Sequence, residues 1–527
     1  MIGDGFCAGT LRLARGVLGA VIFSGLALAL GCGGTNMGSP GGGGTPPSDT
    51  VTVGKSVAGP FGVAMSTSFQ PAEWDYTVFQ DYSGLNTTLG NLQPQHIRLQ
   101  GISEGVPQGT NDSASTAWSF DILDAVVQPV LGVADHSPEF QIAKAPPFMY
   151  EGDDSGNSFQ DLSFNQFAGY AQNLVQYYDT GGFSSNGQTY VSAAYPTDTI
   201  AWWGIYNEPN INNNLAASDY VTMYNTVVPQ MQAIDGSLKF AAVELADFEG
   251  QVQSWIPTFA SGVTAQVDAL ATHFYSTCDQ TTDDATVFDS VATSTNGNFN
   301  FVSDVQLIYS ELAANPALAH VPVWVTENNV NADYDAGNGM SACNPGQTFV
   351  TDQRGSSAFF AAWRPYVFSQ LGKAGIQALY HWDFAADAQF GEVNVSTSQA
   401  QLQLSYWTDY WLERMFPSPP GANLLNYTDT DSAEIETLPV MNSNGSVVVM
   451  VANHAVNVPA TDNNGPGAPR SVLIDTSALG SFSSGSLLTI DAGTNVATGP
   501  VASSVTPAAQ MTINFNGYGV AFLTLTP

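Results

Sequence analysis

Two carboxylates stand where apolar runs stop. Glu208 closes IAWWGIYNE just before Pro209, and Glu327 ends the apolar part of VPVWVTEN. Each run is apolar enough to be buried. A carboxylate carried to the end of a buried run is costly unless a cation pairs it or chemistry uses it. Cations are scarce here, because 46 acidic residues face only 11 basic ones and the net charge is -35. Arg12 and Arg15 belong to a leader-like segment, which leaves nine cations beyond it. One of them, Arg98, lies inside another apolar run, HIRLQG. A buried arginine beside one glutamate is expected to hold it ionised, while a second, unpaired glutamate keeps its proton. That pairing of carboxylate and carboxylic acid suits glycosidic cleavage, where one group attacks the sugar and the other protonates the leaving oxygen.

Something must bring the two glutamates together. Between about Val51 and Phe416 short apolar runs alternate with longer stretches. The candidate strands are FGVAMSTS, HIRLQG, QPVLGVADH, IAWWGIYNE, KFAAVELAD, ALATHFYS, VPVWVTEN and IQALYHWDF. Several are apolar on both faces, as parallel strands covered by helices are. Stretches such as FNQFAGYAQNLVQYYD and SAFFAAWRPYVFSQLGKAG supply helices. Eight runs at this spacing predict an α/β fold, a (β/α)₈ TIM barrel, whose chemistry sits at the C-terminal ends of its strands. A doubly wound open sheet would instead carry a Gly-rich phosphate loop after an early strand, and none stands there. Glu208 and Glu327 are 327 − 208 = 119 residues apart, or three units of about forty residues. Strands four and seven then face each other across the mouth, close enough for the ~5–5.5 Å carboxyl separation of a retaining mechanism.

After FPSPPG the texture changes to short Val-, Thr- and Ile-rich runs separated by Gly, Asn, Ser and Pro. These predict a C-terminal antiparallel β-sandwich, to which the early TVTVG adds a strand. The expected organisation is a signal peptide over 1–31, a lipidated cysteine and tether over 32–50, a catalytic barrel over 51–416 and a sandwich over 417–527.

WGIYNEPN together with WVTENN resembles the glycoside hydrolases of clan A, nearest to glycoside hydrolase family 39, the β-xylosidases, α-L-iduronidases and relatives. The resemblance implies that Glu208, after Asn207, is the acid/base and that Glu327 is the nucleophile. It further implies that Arg98 hydrogen-bonds the nucleophile and that Tyr275 of the THFY motif touches it, beside His273. Trp382 in YHWDF matches the tryptophan beneath the sugar. After Glu327 stands Asn328, where family 39 more often has an aromatic. Families 5, 30 and 51 share the barrel and both glutamates. Asn207 suits a hydrogen bond to the sugar 2-hydroxyl. Asp135 and His136, read as the end of strand three, and Glu244 and Asp247, after strand five, are further candidate subsite residues.

The expected reaction needs neither metal nor organic cofactor, and its partner is an oligo- or polysaccharide. The shortage of Lys and Arg argues against nucleic acid, because phosphates need a basic footprint. GVLGAVIFSGLALALG after Arg12 and Arg15 reads as an export signal, too short for an ordinary membrane span. It runs into Cys32, which resembles a bacterial lipobox cysteine, so a lipid there is the expected membrane contact. The Gly- and Pro-rich stretch that follows reads as a flexible tether. Cys7 falls in the signal, leaving Cys278 and Cys343 as an expected disulfide of an exported protein.

Overall fold

The computed structural model describes residues 36–38, 48–69, 78–82, 84–100, 118–246, 251–293, 300–397, 399–417 and 422–527. The proposed signal, Cys32 and most of the tether lie outside them. Eight parallel strands close a barrel in chain order: β1 (Ala64–Phe69), β2 (Ile97–Gln100), β3 (Glu139–Ile142), β4 (Trp202–Ile205), β5 (Lys239–Ala246), β6 (Ala269–Thr277), β7 (Val323–Asn331) and β8 (Ala378–His381). Both stretches read as helices form them, over Asn165–Asp179 and Ala358–Ala374.

Seven strands overlap the expected runs, three of them extending one to three residues beyond; the third strand does not. QPVLGVADH begins inside a helix, Asp121–Val133, and the strand is the next segment, EFQI. Counted from Asp121, the buried residues are Leu123, Val126, Val127, Val130 and Leu131. That is a helical stripe, which a window opened at Gln128 misses. EFQI looks unlike a buried strand because Glu139 and Gln141 alternate with Phe140 and Ile142. All four are buried, the apolar pair in the main hydrophobic core.

Below the mouth the barrel is plugged by aromatic rings. Trp202 and Trp324 lie 4.5 Å apart, centroid to centroid, and Tyr380 lies tilted beside Trp324 at 6.1 Å. Above this floor the interior is polar, which departs from the aliphatic layers usual in such barrels.

The β domain draws on both ends of the chain. A single open ten-stranded sheet carries its own core, and its strand Asp49–Phe61 pairs with Ala422–Asp429 and, in parallel, with Arg470–Asp475. The barrel therefore begins at Ala64, not at 51, and the sheet carries one parallel pairing. The run VVVMVAN is apolar on both faces for a reason. Val447, Val449 and Val451 fill the domain's own core, while Val448, Met450 and Ala452 join the core shared with the barrel. Lys373, on the barrel helix, fixes this contact by pairing with Glu436 at 2.6 Å.

Candidate active site

Strand parity decides which side chains enter the barrel, and two strands break parity near the mouth. In β7, Val325 is opposite Thr272 but Glu327 is opposite His273, so Thr326 is an extra residue. In β5, Ala242 is opposite Leu270 and Leu245 opposite Thr272, an insertion at Val243 and Glu244. Such β-bulges re-aim side chains. Val243 and Glu244 adopt φ of 82° and 47°, a region that a β-branched residue such as valine rarely occupies. Backbone held this way costs on the order of 1–3 kcal/mol and is typically met at functional sites. The result is that Thr326, Glu327 and Glu244 meet inside one barrel, with the Thr326 hydroxyl donating to Glu244 at 2.7 Å.

Arg98 enters from β2, fully buried. Its Nη1 donates to Glu327 Oε1 at 2.9 Å and its Nη2 to Asn207 Oδ1 at 2.8 Å; Glu244 Oε2 lies 3.3 Å from Nη2. Tyr275 on β6 donates its phenol to Glu327 Oε2 at 2.8 Å. Burial and the Glu327 charge push that phenol well up, so it stays a donor. Trp382, just beyond β8, is half-buried, with Arg98 6.0 Å from its ring centroid.

Glu208 follows a sharp turn in which Tyr206 and Glu208 both have positive φ. The turn is pinned to β5: Glu208 N donates to Glu244 O, and the Asn210 side chain exchanges two hydrogen bonds with Ala246. Gly204 is needed just below, because a Cβ there would meet the Gln141 side chain at 2.7 Å. Gln141 in turn donates to Asn207 Oδ1 at 2.9 Å. With that oxygen shared by Arg98 and Gln141, the Asn207 amide NH₂ is the group left to donate to a ligand.

Glu208 is not the unpaired acid expected from sequence. Its Oε1 is 2.9 Å from His273 Nδ1, and the same nitrogen lies 3.5 Å from Glu327 Oε2. One oxygen of each glutamate and this nitrogen all fall within 4.8 Å of one another. Each already has a hydrogen-bond partner, and Arg98 bonds Glu327 directly, so the group fits a hydrogen-bonded acid pair better than a cation cage. A second cluster, His381, Glu392 and Asp409, is similarly occupied, since Arg364 donates to both Asp409 oxygens.

Burial raises the Glu327 carboxyl above its ordinary value, against the opposing pull of His273, Arg98 and Tyr275. Arg98 therefore offsets the burial rather than dominating it. If Glu327 must be ionised to act, activity falls as pH drops through its raised value. The acid limb of kcat/KM is then expected above the ordinary 4.5. A pH–rate profile in the free-enzyme regime measures it, and a limb below 4 contradicts the reading.

The remaining candidates separate. His136 and Asp135 lie at the opposite end of the barrel, a consequence of the misplaced third strand. His136 is exposed and pairs with Asp198 at 2.6 Å; Asp135 accepts from the backbone NH groups of Ile97 and Ser137. His136 is therefore no part of this site. Glu244 is not a rim residue but lies fully buried under it, and Asp247 is outside the described residues. Asn328 faces away from the barrel interior: Arg364 donates to its Oδ1, and it donates to Phe274 O at 2.6 Å. Cys278 and Cys343 form a disulfide, joining the segments after β6 and β7. Sequence reasoning missed Glu139, Gln141 and Asn210. Polar residues alternating with Phe140 and Ile142 were the available signal for the first two.

Neither a protein-family model nor a curated protein sequence matches the chain. Solved structures do. A GH39 enzyme from Xanthomonas axonopodis pv. citri superposes with a TM-score of 0.61 at 14% identity, over 93% of this chain and 99% of that one. The chain shares the fold of glycosidases. A monomeric β-xylosidase from Caulobacter crescentus gives 0.60 at 14% identity, covering 91% and 99%. An α-L-arabinofuranosidase from Thermotoga maritima gives 0.59 at 12%, covering 90% and 99%. The likeness spans barrel and β domain together.

Proposed function

We propose that the chain is a retaining glycoside hydrolase of the clan A type, acting as a β-xylosidase-like exo-glycosidase on fragments of plant or microbial polysaccharide. The observation that carries this reading is Glu327, held by Arg98 and Tyr275 and facing Glu208 across less than 4.8 Å between nearest oxygens. That closeness suits the ~5–5.5 Å carboxyl separation of a retaining pair better than the ~6.5–9.5 Å of an inverting one. The similar structures include a xylosidase and an arabinofuranosidase, which favours a pentoside as substrate.

A Glu327 oxygen attacks the anomeric carbon as the bond to the leaving oxygen breaks, and Glu208 gives that oxygen its proton. A glycosyl ester on Glu327 results. Glu208, now a carboxylate, takes a proton from water as the water oxygen attacks the same carbon. The ester bond breaks, and the sugar leaves with its original anomeric configuration. Asn207 donates to the 2-hydroxyl, and Trp382 offers a face for the ring to rest on.

A panel of aryl glycosides, with product anomers followed by NMR, tests the assignment. The expected result is hydrolysis of aryl β-xylosides with a β-anomer as the first product; inversion or a wholly inert panel counts against it. The leader, Cys32 and the Cys278–Cys343 disulfide favour an exported protein, held at the cell envelope by lipid on Cys32 or released. Among the described residues no helix is long and apolar enough to cross a membrane.

A further inference from the structure

His273 is the joint between two carboxylates. Nδ1 meets Glu208 at 2.9 Å and Nε2 meets Glu244 Oε2 at 3.0 Å. Neutral imidazole has one donor and one acceptor nitrogen, and here both face carboxyl oxygens. Glu244 is the partner whose charge is fixed: Arg98 lies 3.3 Å from its Oε2, and Thr326 donates to the same oxygen. Nε2 must then be the donor toward Glu244. We propose that Glu244 is a positioning residue for the reaction, holding His273 as an imidazolium whose Nδ1–H is aimed at Glu208, so that Glu208 releases its proton beside a compensating cation.

The charges around the ring agree. On β5 burial pushes Glu244 up, but Arg98 on β2 together with the hydrogen bonds and charge of its neighbours, His273 among them, holds it down at about 2. Behind it, burial and the Glu244 charge push Glu139 on β3 well up. His273 itself is raised to about 9 despite burial, by Glu327 on β7, by Glu208 after β4 and by Glu244. The other titratable neighbours are phenols: Tyr275 against Glu327, Tyr334 near Glu208, Tyr220 near Glu244 and Tyr380 near Glu139. Arg98 and His273 thus face Glu244, Glu327 and Glu208 together, and the proton that moves in the proposed reaction is the one Glu208 gives to the leaving oxygen. When that proton leaves, the imidazolium stabilises the carboxylate it leaves behind.

The proposal rests on the acid/base reading of Glu208, so its test has one arm that needs no turnover. Histidine ¹⁵N NMR of substrate-free protein, with His273→Asn assigning the signal, is expected to show an imidazolium at pH 8. In Glu244→Gln the midpoint should move by at least tenfold in proton concentration, leaving a neutral ring at that pH. In the kinetic arm, Glu244→Gln should lose at least tenfold more kcat/KM on alkyl glycosides, whose leaving group needs the proton, than on dinitrophenyl glycosides. An unmoved His273 midpoint overturns the proposal. So does an equal loss on both substrate classes, because that is what mere packing would produce. Thr326→Val, which removes only the hydroxyl on Glu244, should move both readouts the same way by less, and it decides the matter if Glu244→Gln fails to fold. A parent inert on every glycoside overturns the glycosidase reading instead, and the titration then decides alone whether Glu244 holds the ring protonated.

Discussion

Replacing Glu327 with Ala is expected to lower kcat/KM by more than about 10⁴-fold on every glycoside that the parent hydrolyses, because in the proposed mechanism the first covalent bond can no longer form. The fold should survive. Arg98 loses one carboxylate but keeps Glu244 at 3.3 Å and Asn207 at 2.8 Å, so the buried guanidinium is not stranded. Removing a sole partner would cost ~3–5 kcal/mol. Azide should restore part of the lost turnover on activated substrates. The variant has a cavity where the carboxylate stood, and an anion there attacks the anomeric carbon directly. The glycosyl azide formed has the inverted configuration, since only one displacement has occurred. Normal hydrolysis by the variant, or a rescued product of retained configuration, removes Glu327 from the nucleophile role.

Replacing Glu208 with Ala produces a different failure, and the difference separates the two roles. Substrates with poor leaving groups should lose on the order of 10²–10⁴-fold in kcat/KM, the usual contribution of a positioned general acid. A dinitrophenyl glycoside needs no proton and should still form the glycosyl ester on Glu327. The ester then accumulates, because no base activates water. The expected signature is a burst of dinitrophenol followed by a slow steady rate, with KM lowered and the sugar mass found on the Glu327 peptide. Azide should speed the second step without needing a base. Its product keeps the original configuration, opposite to the Glu327 case, because two displacements have occurred. A loss independent of leaving group would show that Glu208 does not serve as the acid.

The sequence alone carried the parts of this protein that depend on local composition. Seven strands were legible because their runs are apolar beyond what a loop tolerates. Glu208 and Glu327 were legible because each breaks such a run at its end. Arg98 stood out because cations are few, and the disulfide because only two cysteines remained after the leader and Cys32 were set aside. The third strand was hidden by its own chemistry: Glu139 and Gln141 belong to a polar barrel interior, and a hydrophobic pattern cannot reveal a strand whose inward face is polar. His136 was misassigned for that reason, carried to the wrong end of the barrel by a helix read as a strand.

Only the tertiary structure decided which polar groups meet. Glu327 and Arg98 are 229 residues apart and touch because the barrel closes. Glu244 reads in sequence as a candidate subsite residue after strand five; the insertion beside Val243 instead turns it into the barrel under the rim, and the extra Thr326 in β7 supplies its hydroxyl partner. A bulge shifts parity by one residue for reasons that lie in the neighbouring strands, so no local pattern announces it. The choice of reagents was therefore written in residue type and spacing. Their arrangement, with His273 joining Glu208 to Glu244, follows from barrel closure and two bulges.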